Sequence, residues 1–442
     1  MILIPFLLLF SVVSEAQEVV TWNECVLMTR ANNADLKSSM ELIIQSRANA
    51  GIARSSYLPQ ISAALKFNTS RQVVETHDNN PSSSTTQILL ESINNNTRNT
   101  TNTSSFSYGV TGKQLIFDSM KTIYDIKTSE SVIDDTQLQY VVTSSQVRLN
   151  LRVAFVQLLK SQESIVISRE IAKRWKKNLA LVRMRYQAGR EHKGSLMNAE
   201  ANLAQAEYEL QPAERDISIA RISLLKIMGM PQYTQIRVDA EFFGIEHDRV
   251  KPDIAGLVQT HPLLLRMKKQ RESAEYAEKS KIASFLPVIN AVGSADNTGS
   301  RYTSGKSRIL NISGGIEITM PLSTGGNNYY NLEKAKSQQR KLKADEVSAR
   351  QQVILDLEQK WNEWQNSIDR VVVQRKFLQA AEERARIAEA EYSIGLLLFD
   401  NWIIIEDQLA QMKKSYLEAR AGELTAEAQW LQAKGETLNY DN

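Results

Sequence analysis

The stretch Ser55-Ser56-Tyr57-Leu58-Pro59-Gln60-Ile61 has a second version later in the chain, Ala283-Ser284-Phe285-Leu286-Pro287-Val288-Ile289. Three further landmarks recur in the same order, namely Gln114–Asp118 with Thr319–Ser323, Tyr186–Gly189 with Tyr392–Gly395, and Gly229 with Gly435. Landmarks that recur in one order indicate an internal repeat. We therefore predict a tandem duplication, with copy one at 17–229, a bridge at 230–251 and copy two at 252–442.

The Leu-Pro step separates two kinds of pattern within each copy. Helical sequence is predicted at 18–56 and 252–284, and it stops at the proline because the residue before a proline disfavours the α region. Alternating apolar and polar residues follow, which indicates β-hairpins at about 60–117 and 287–322. Polar connections are predicted at 75–103 and 296–306. Taken alone, such a hairpin also fits a half-buried sheet in a soluble protein.

Very long helices are predicted after both hairpins. Residues 120–185 and 327–394 contain neither proline nor glycine, and their apolar residues recur at helical spacing. This pattern favours coiled-coil-like packing. The returning helices, at about 195–228 and 400–434, are rich in alanine, and we expect Pro212 to kink or interrupt the first of them. We expect the bridge to add a short strand or helix.

The amino-terminal residues have the pattern of an export signal. Ile2–Val13 is mostly apolar and is followed by Ser14-Glu15-Ala16, so we predict a signal peptide at 1–16. No apolar run of about 18 residues follows it, so no transmembrane helix is predicted. The single cysteine, Cys25, cannot form an internal disulfide. A net charge of +3 on 442 residues argues against a nucleic-acid partner.

The polar residues form no recognisable catalytic arrangement. No pair among the four histidines has the spacing of metal ligands on one helix face. The sequence contains no glycine-rich phosphate-binding loop and no Gly-x-Ser-x-Gly motif. We therefore predict that the protein is not an enzyme and that it uses no cofactor or metal. Glu382-Glu383 and Glu406-Asp407 are predicted to be ordinary surface charges on helices.

The order and duplication of these features are similar to those of the outer membrane efflux protein family, the TolC-like channels. The resemblance covers nearly the whole chain after the signal peptide, through the Leu-Pro steps, the helix–hairpin–helix order and the Tyr-x-x-Gly turns at 186–189 and 392–395. It implies a mainly α-helical fold with a membrane β part. Each subunit would contribute four strands to a shared trimeric, twelve-stranded β-barrel, and the helices of the homotrimer would form a periplasmic α-barrel.

The resemblance also implies a function and partners. The subunit would be the exit duct of a tripartite efflux or type I secretion system in the outer membrane of a Gram-negative bacterium, extending into the periplasm. Substrates would pass passively, driven by an inner-membrane pump of the RND, ABC or MFS type that is coupled through a periplasmic adaptor protein. The residues alone leave open a soluble periplasmic coiled-coil scaffold, which gives no reason for the alternating hairpins.

The resemblance assigns three groups of residues by their positions. Contact with the adaptor falls on the Tyr-x-x-Gly turns, at Tyr186, Gly189, Arg190, Tyr392, Gly395 and Leu396, although these glycines would also serve simply as left-handed turns. Candidates for the pore constriction are Ser195, Asn198, Asp400, Asn401 and Ile404. They would form no strong acidic ring, so the constriction would be neutral and polar, or apolar through Leu397, Leu398 and Phe399. The lipid-facing positions are Ile61, Leu65, Phe67, Phe106, Tyr108, Ile312, Ile316 and Ile318.

Overall fold

The structure is a computed structural model that describes residues 18–75, 98–239, 250–300 and 308–438. The predicted signal peptide, His77, His247 and most of the predicted polar connection in copy one lie outside these residues. Among the described helices, none combines the length and the hydropathy that crossing a membrane requires.

The helices and strands follow one another in the same order in both copies. Copy one contains β1 (Glu18–Val20), α1 (Trp22–Asn32), α2 (Ala34–Ser55), β2 (Gln60–Glu75), β3 (Arg98–Phe117), α3 (Lys121–Gln187) and α4 (Lys193–Met228). The bridge contains β4 (Ile236–Val238). Copy two contains α5 (Ile254–Thr260), α6 (Pro262–Ala283), β5 (Val288–Ser300), β6 (Arg308–Thr319), α7 (Asn327–Ile394) and α8 (Phe399–Ala433).

The chain divides into two compact units, and each of them draws on both copies. The sheet unit comprises Arg47–Val132 and Arg271–Lys341. The helical unit comprises the described residues before Arg47 together with Ile133–Gln270 and the described residues from Leu342 onwards.

The sheet unit contains one antiparallel sheet in the order β2-β3-β5-β6. Directly paired residues lie on the same face of a sheet, and the pairs Leu65–Tyr108, Phe67–Phe106 and Ala295–Ile312 continue one face across the strands. That face carries every position predicted to face lipid, and all of these side chains are exposed in the single chain, namely Ile61, Leu65, Phe67, Phe106, Tyr108, Ile312, Ile316 and Ile318.

The strands are longer than the sequence predicts. The predicted connection of copy two begins at Asp296, but β5 continues through that residue to Ser300. Asn311 Nδ2 donates a hydrogen bond to Asp296 Oδ2 across the two strands at 3.2 Å. Backbone pairing does not require apolar side chains on an exposed face. Polar residues therefore continue β5 beyond the point at which the composition of the sequence predicts its end.

The junction between β3 and α3 in copy one and the junction between β6 and α7 in copy two differ in residue type. The two residues in the left-handed region are Ser119 and Met120 in copy one, with φ of 57° and 67°. Their counterparts in copy two are Gly325 and Gly326, with φ of 59° and 87°. A side chain in this region costs about 1–2 kcal/mol per residue, so copy one carries backbone strain where copy two avoids it.

The helical unit has a hydrophobic core between its long helices. One cluster of buried residues joins α3, α4, α7 and α8, and it includes Trp175, Val182, Ala199, Ala385 and Trp402. Buried alanines on α4 and α7 allow the helices to approach closely. The long helices therefore pack laterally, as their apolar spacing predicts.

Pro212 does not interrupt α4, which runs unbroken from Lys193 to Met228, so that part of the prediction is wrong. A proline removes one backbone N–H from the helix ladder. On either side of it, Ala206, Ala213 and Ala220 are buried, and this packing holds the helix together.

The amino-terminal region begins with a strand rather than with the predicted helix. β1 pairs in parallel with β4, so the bridge supplies the short strand that the sequence allows. Asn33 divides the helical sequence into α1 and α2, because its Oδ1 accepts a hydrogen bond from Leu36 N at 3.0 Å. Its Nδ2 donates to Ile227 O at 2.8 Å, which joins the break to the end of α4.

Candidate functional site

The first turn (residues 188–192) reverses the chain between α3 and α4. Gly189 has φ of 70°, which an L side chain rarely adopts. Arg190 N donates to Arg185 O at 2.9 Å and Gly189 N donates to Tyr186 O at 3.0 Å. These bonds form a Schellman motif, which satisfies the last carbonyl groups of α3.

The second turn (residues 395–398) repeats this geometry between α7 and α8. Gly395 has φ of 87°, Leu396 N donates to Glu391 O at 2.9 Å, and Gly395 N donates to Tyr392 O at 3.1 Å. The glycine of each Tyr-x-x-Gly motif therefore has the same conformational role.

The helices that follow the turns begin differently. His192 caps α4, because its Nδ1 accepts a hydrogen bond from Ser195 N at 3.2 Å. Leu398 occupies the cap position of α8 and makes no side-chain hydrogen bond there. The second turn is therefore held less by its own cap than by contacts with neighbouring helices.

Tyr392 provides the main contact between the two turns. Its side chain is 0% exposed, and its ring stacks on Trp402 with centroids 4.1 Å apart and planes at 17°. The guanidinium of Arg185 lies 4.7 Å from the centroid of the Tyr392 ring, and Arg185 Nη1 donates to Tyr392 O at 2.6 Å. The Tyr392 hydroxyl donates to Glu191 Oε2 at 3.0 Å. Arg185 and Glu191, from the helical hairpin of α3 and α4, thus hold the helical hairpin of α7 and α8.

Burial raises the pKa of Tyr392, and the nearby charge of Glu191 raises it further. The hydroxyl is therefore protonated, and available as a donor to Glu191, throughout the neutral range.

A buried ionic cluster joins α3, α7 and α8 at a second place, away from the two turns. Glu406 on α8 is 3% exposed and accepts hydrogen bonds from Arg174 on α3, with Nη2 to Oε1 at 2.8 Å, and from Asn178 Nδ2 at 3.1 Å. Arg174 also lies 3.5 Å from Glu389 on α7. The prediction that Glu406 is surface charge is wrong. The signal that identifies it is its spacing, because Glu406 lies four residues after Trp402 and three before Leu409, which are both buried.

The residues predicted for adaptor contact divide by exposure. Tyr186 is 38% exposed, Leu396 is 77% exposed, and Gly189, Arg190 and Gly395 are also exposed. Tyr392 has no accessible surface in the single chain, so its side chain offers nothing for a partner to touch.

The candidates for the constriction divide in the same way. Asn198 on α4 and Asp400, Asn401 and Ile404 on α8 are exposed. Ser195, in the first turn of α4, is 1% exposed, and its N–H donates to His192 Nδ1 at 3.2 Å. Within the described residues, no group of three or more His, Cys, Asp or Glu side chains is placed to hold a metal ion.

Comparison with known proteins gives concordant matches. A family model described as outer membrane efflux protein matches residues 27–230 and 256–439. The outer membrane efflux protein BepC of Brucella suis biovar 1 is 22% identical over 361 residues, which is 79% of this chain and 71% of BepC.

Solved structures share the fold. The Campylobacter jejuni CmeC outer membrane channel superposes with a TM-score of 0.76 at 17% identity, over 93% of this chain and 85% of that one. The outer membrane protein VceC of Vibrio cholerae gives a TM-score of 0.72 at 17% identity, over 94% of this chain and 96% of that one.

Proposed function

The chain belongs to the outer membrane efflux protein family, and we propose that three copies of it form the exit duct through which an inner-membrane pump expels its substrates. Members of this family are trimeric outer-membrane channels that work with efflux pump complexes. The protein is therefore an efflux duct of the outer membrane that extends into the periplasm, as the resemblance implies. A periplasmic adaptor and a pump complete the proposed system.

The open edges of the sheet support the assembly of several copies. Within the described residues, β2 pairs only with β3, and β6 pairs only with β5. Each of these edge strands leaves backbone N–H and C=O groups unpaired, and such groups are costly next to lipid. Pairing of β2 in one copy with β6 in the next would satisfy both edges, and it would turn the apolar face towards lipid.

Membrane fractionation and chemical cross-linking test this assembly. We expect the expressed protein in the outer-membrane fraction, with a cross-linked trimer in detergent. Recovery of a periplasmic monomer or dimer would contradict the proposal and favour the coiled-coil scaffold.

The exposed residues of the two turns form the proposed adaptor surface, which comprises Tyr186, Gly189, Arg190, Gly395 and Leu396. An exposed leucine and an exposed arginine beside two tight turns offer both apolar contact and charge to a helical partner. Tyr392 contributes from beneath this surface by holding the second turn in place.

Binding of a purified periplasmic adaptor tests this surface. We expect Leu396→Asp and Arg190→Glu to weaken adaptor binding by about tenfold or more. The first change replaces an apolar contact by a charge, and the second reverses the sign of the charge. Leu322→Asp is the control, because Leu322 is also a highly exposed leucine, at 92% against 77% for Leu396, and lies outside both turns. Equal weakening by all three changes would contradict a specific surface.

The pore constriction is proposed at Asn198, Asp400, Asn401 and Ile404, and it excludes the buried Ser195. A constriction with one carboxylate per chain and an exposed isoleucine would select weakly between ions. Introducing a second carboxylate with Ile404→Asp should raise cation selectivity in conductance measurements. Unchanged selectivity would place the constriction elsewhere.

A further inference from the structure

A contact between helix ends is duplicated in the helical unit. In copy one, the side chain of Asn33 caps α2 and also holds the end of α4 through Ile227 O. His261 is its counterpart in copy two, because both residues lie at the same distance in sequence before the Leu-Pro step of their copy. Ile227 and Ala433 also correspond, since each lies at the same distance before the last glycine of its copy. We call these two contacts the Asn33 joint and the His261 joint.

The ring of His261 makes the same two kinds of bond as the amide of Asn33. Leu263 N donates to His261 Nδ1 at 3.3 Å at the start of α6, and His261 Nε2 lies 3.1 Å from Ala433 O at the end of α8. A carbonyl oxygen only accepts, so Nε2 carries a hydrogen, whereas Nδ1 must be free of one to accept from Leu263. The two bonds together therefore require the neutral ring.

The glycine that ends each returning helix lies against the joint of its copy. A Cβ atom at Gly229 would lie 2.5 Å from Asn32 O, and one at Gly435 would lie 2.7 Å from Pro262 Cδ. Neither position has room for a side chain. The joints are thus tight contacts, and a change in their hydrogen bonds affects both of the helices that meet there.

Burial and one carboxylate govern the charge of His261. Burial lowers the pKa of His261, and the bond to Ala433 O and the negative charge of Asp356 on α7 oppose this decrease. Neighbouring charged side chains on the packed elements contact other groups, namely Asp253 with Ala255 N, Arg266 with Asp135, Lys360 with Glu363, and Arg148 and Lys434 with Glu436. The neutral ring is therefore the form that the closed joint favours.

We propose that the His261 joint is an acid-sensitive switch, in which protonation of the ring loosens α6 from the end of α8 while the Asn33 joint stays closed. A proton added at Nδ1 would point at the N–H of Leu263, so the cap of α6 is lost and two donors face each other. An opened joint exposes the ring to water, where it takes up a proton at its ordinary pKa of about 6.5. The His261 joint is therefore strongest above about pH 6.5 and weakens as the pH falls below that value. Asn33 does not titrate and keeps both of its bonds.

Hydrogen–deuterium exchange of the purified full-length protein in detergent tests the proposal at about pH 7.5 and about pH 5. Rates are corrected for the intrinsic effect of pH on amide exchange. In the wild type, we expect the protection of residues 258–266 to fall by about threefold to tenfold at the lower pH, because amides exchange when the joint opens. Residues 30–38, around the Asn33 joint, are the internal control and should keep their protection.

Two variants separate titration of His261 from a purely structural role. His261→Asn places the residue of copy one in copy two, so the protection of residues 258–266 should not differ between the two pH values. Asp356→Asn removes the charge that favours protonation of His261, so in a series of pH values the midpoint of the loss should move to lower pH.

Equal protection of residues 258–266 at both pH values in the wild type would overturn the proposal. So would an equal loss at the Asn33 joint, a loss in His261→Asn as large as in the wild type, or an unchanged midpoint in Asp356→Asn. These readouts depend on neither conductance nor adaptor binding, so they are independent of the proposed duct.

Discussion

The two Tyr-x-x-Gly turns have the same backbone and different tyrosines. Gly189 and Gly395 both adopt positive φ, and each ends its helix with the same pair of hydrogen bonds. Tyr392 is completely buried against Trp402, whereas Tyr186 is partly exposed. The glycine thus serves the reversal of the chain in both copies, and the tyrosine joins the hairpins only in copy two.

The difference shows that one repeated motif places its tyrosine in two environments. Tyr392 holds the second hairpin, and under the proposed function the exposed Tyr186 contacts the adaptor. Stability should therefore depend on the second turn, and partner binding should depend on the exposed residues of both.

The largest difference is expected between Tyr392→Ala and Tyr186→Ala. Removing the buried ring deletes its stacking on Trp402 and leaves a cavity, which costs about 3–5 kcal/mol for an aromatic side chain. Removing the partly exposed ring of Tyr186 should cost less than about 1 kcal/mol. Denaturant titration followed by circular dichroism measures the free energy of unfolding of both variants. Similar losses of unfolding free energy in the two variants would contradict the different roles of the two tyrosines.

The ionic cluster is the second attachment of the copy-two hairpin. Glu406→Leu leaves Asn178 without its partner and Arg174 with Glu389 alone. We expect a loss of about 2–4 kcal/mol, below the upper range for buried pairs, because Arg174 keeps this contact and is partly exposed to water. Glu382→Leu, at an exposed position on α7, is the control and should change stability by less than about 0.5 kcal/mol. A stability loss in Glu382→Leu as large as in Glu406→Leu would mean that the cluster does not attach the hairpin.

Glycine substitutions test what the two turns share. Gly189→Ala and Gly395→Ala should each cost about 1–2 kcal/mol, because both place a side chain in the left-handed region. The added carbon meets only ordinary contacts, with nothing within 4 Å at Gly189 and Arg185 Nη1 at 3.7 Å for Gly395. Gly422→Ala, within α8, is the control and should be neutral or stabilising. A clear difference between Gly189→Ala and Gly395→Ala would show that the turns are not equivalent.

The smallest effect is expected for Tyr392→Phe, which removes only the hydroxyl bond to Glu191. We expect a loss of about 1 kcal/mol at neutral pH. The pKa of Tyr392 is raised in the folded protein, so the unfolded chain loses this proton first as pH rises above about 10. The stability of the wild type should therefore fall faster than that of Tyr392→Phe above that pH. The difference in the free energy of unfolding between the two proteins should narrow. A gap that widens would show that the hydroxyl is not held as described.

Features of the chain that repeat, or that follow from local spacing, could be predicted. The hairpins, the long helices and the two turns rest on patterns within short segments, such as the alternation around Ile61 and the glycines of the turns. The apolar face of the sheet followed from the same alternation, because side chains alternate between the faces of a strand.

Features that depend on partners distant in sequence could not be predicted. Arg174 and Glu406 lie more than 200 residues apart, so the spacing that places Glu406 on the buried face of α8 does not identify its partner. The burial of Tyr392 depends on Arg185 and Trp402, so the motif alone did not distinguish it from Tyr186. Pro212 was tolerated because buried alanines on both sides outweigh one lost helix bond.

Single-channel conductance in planar lipid bilayers tests the central claim most directly. If the protein is a duct whose hairpins are held together by Tyr392, the wild type should give channel currents, and Tyr392→Phe, which loses the bond to Glu191, should give currents of different size or frequency. Tyr208→Phe, on an exposed part of α4, should behave as the wild type does. Absence of channel currents from all three proteins would contradict the duct, and equal currents from all three would contradict the role of Tyr392 in holding the hairpins together.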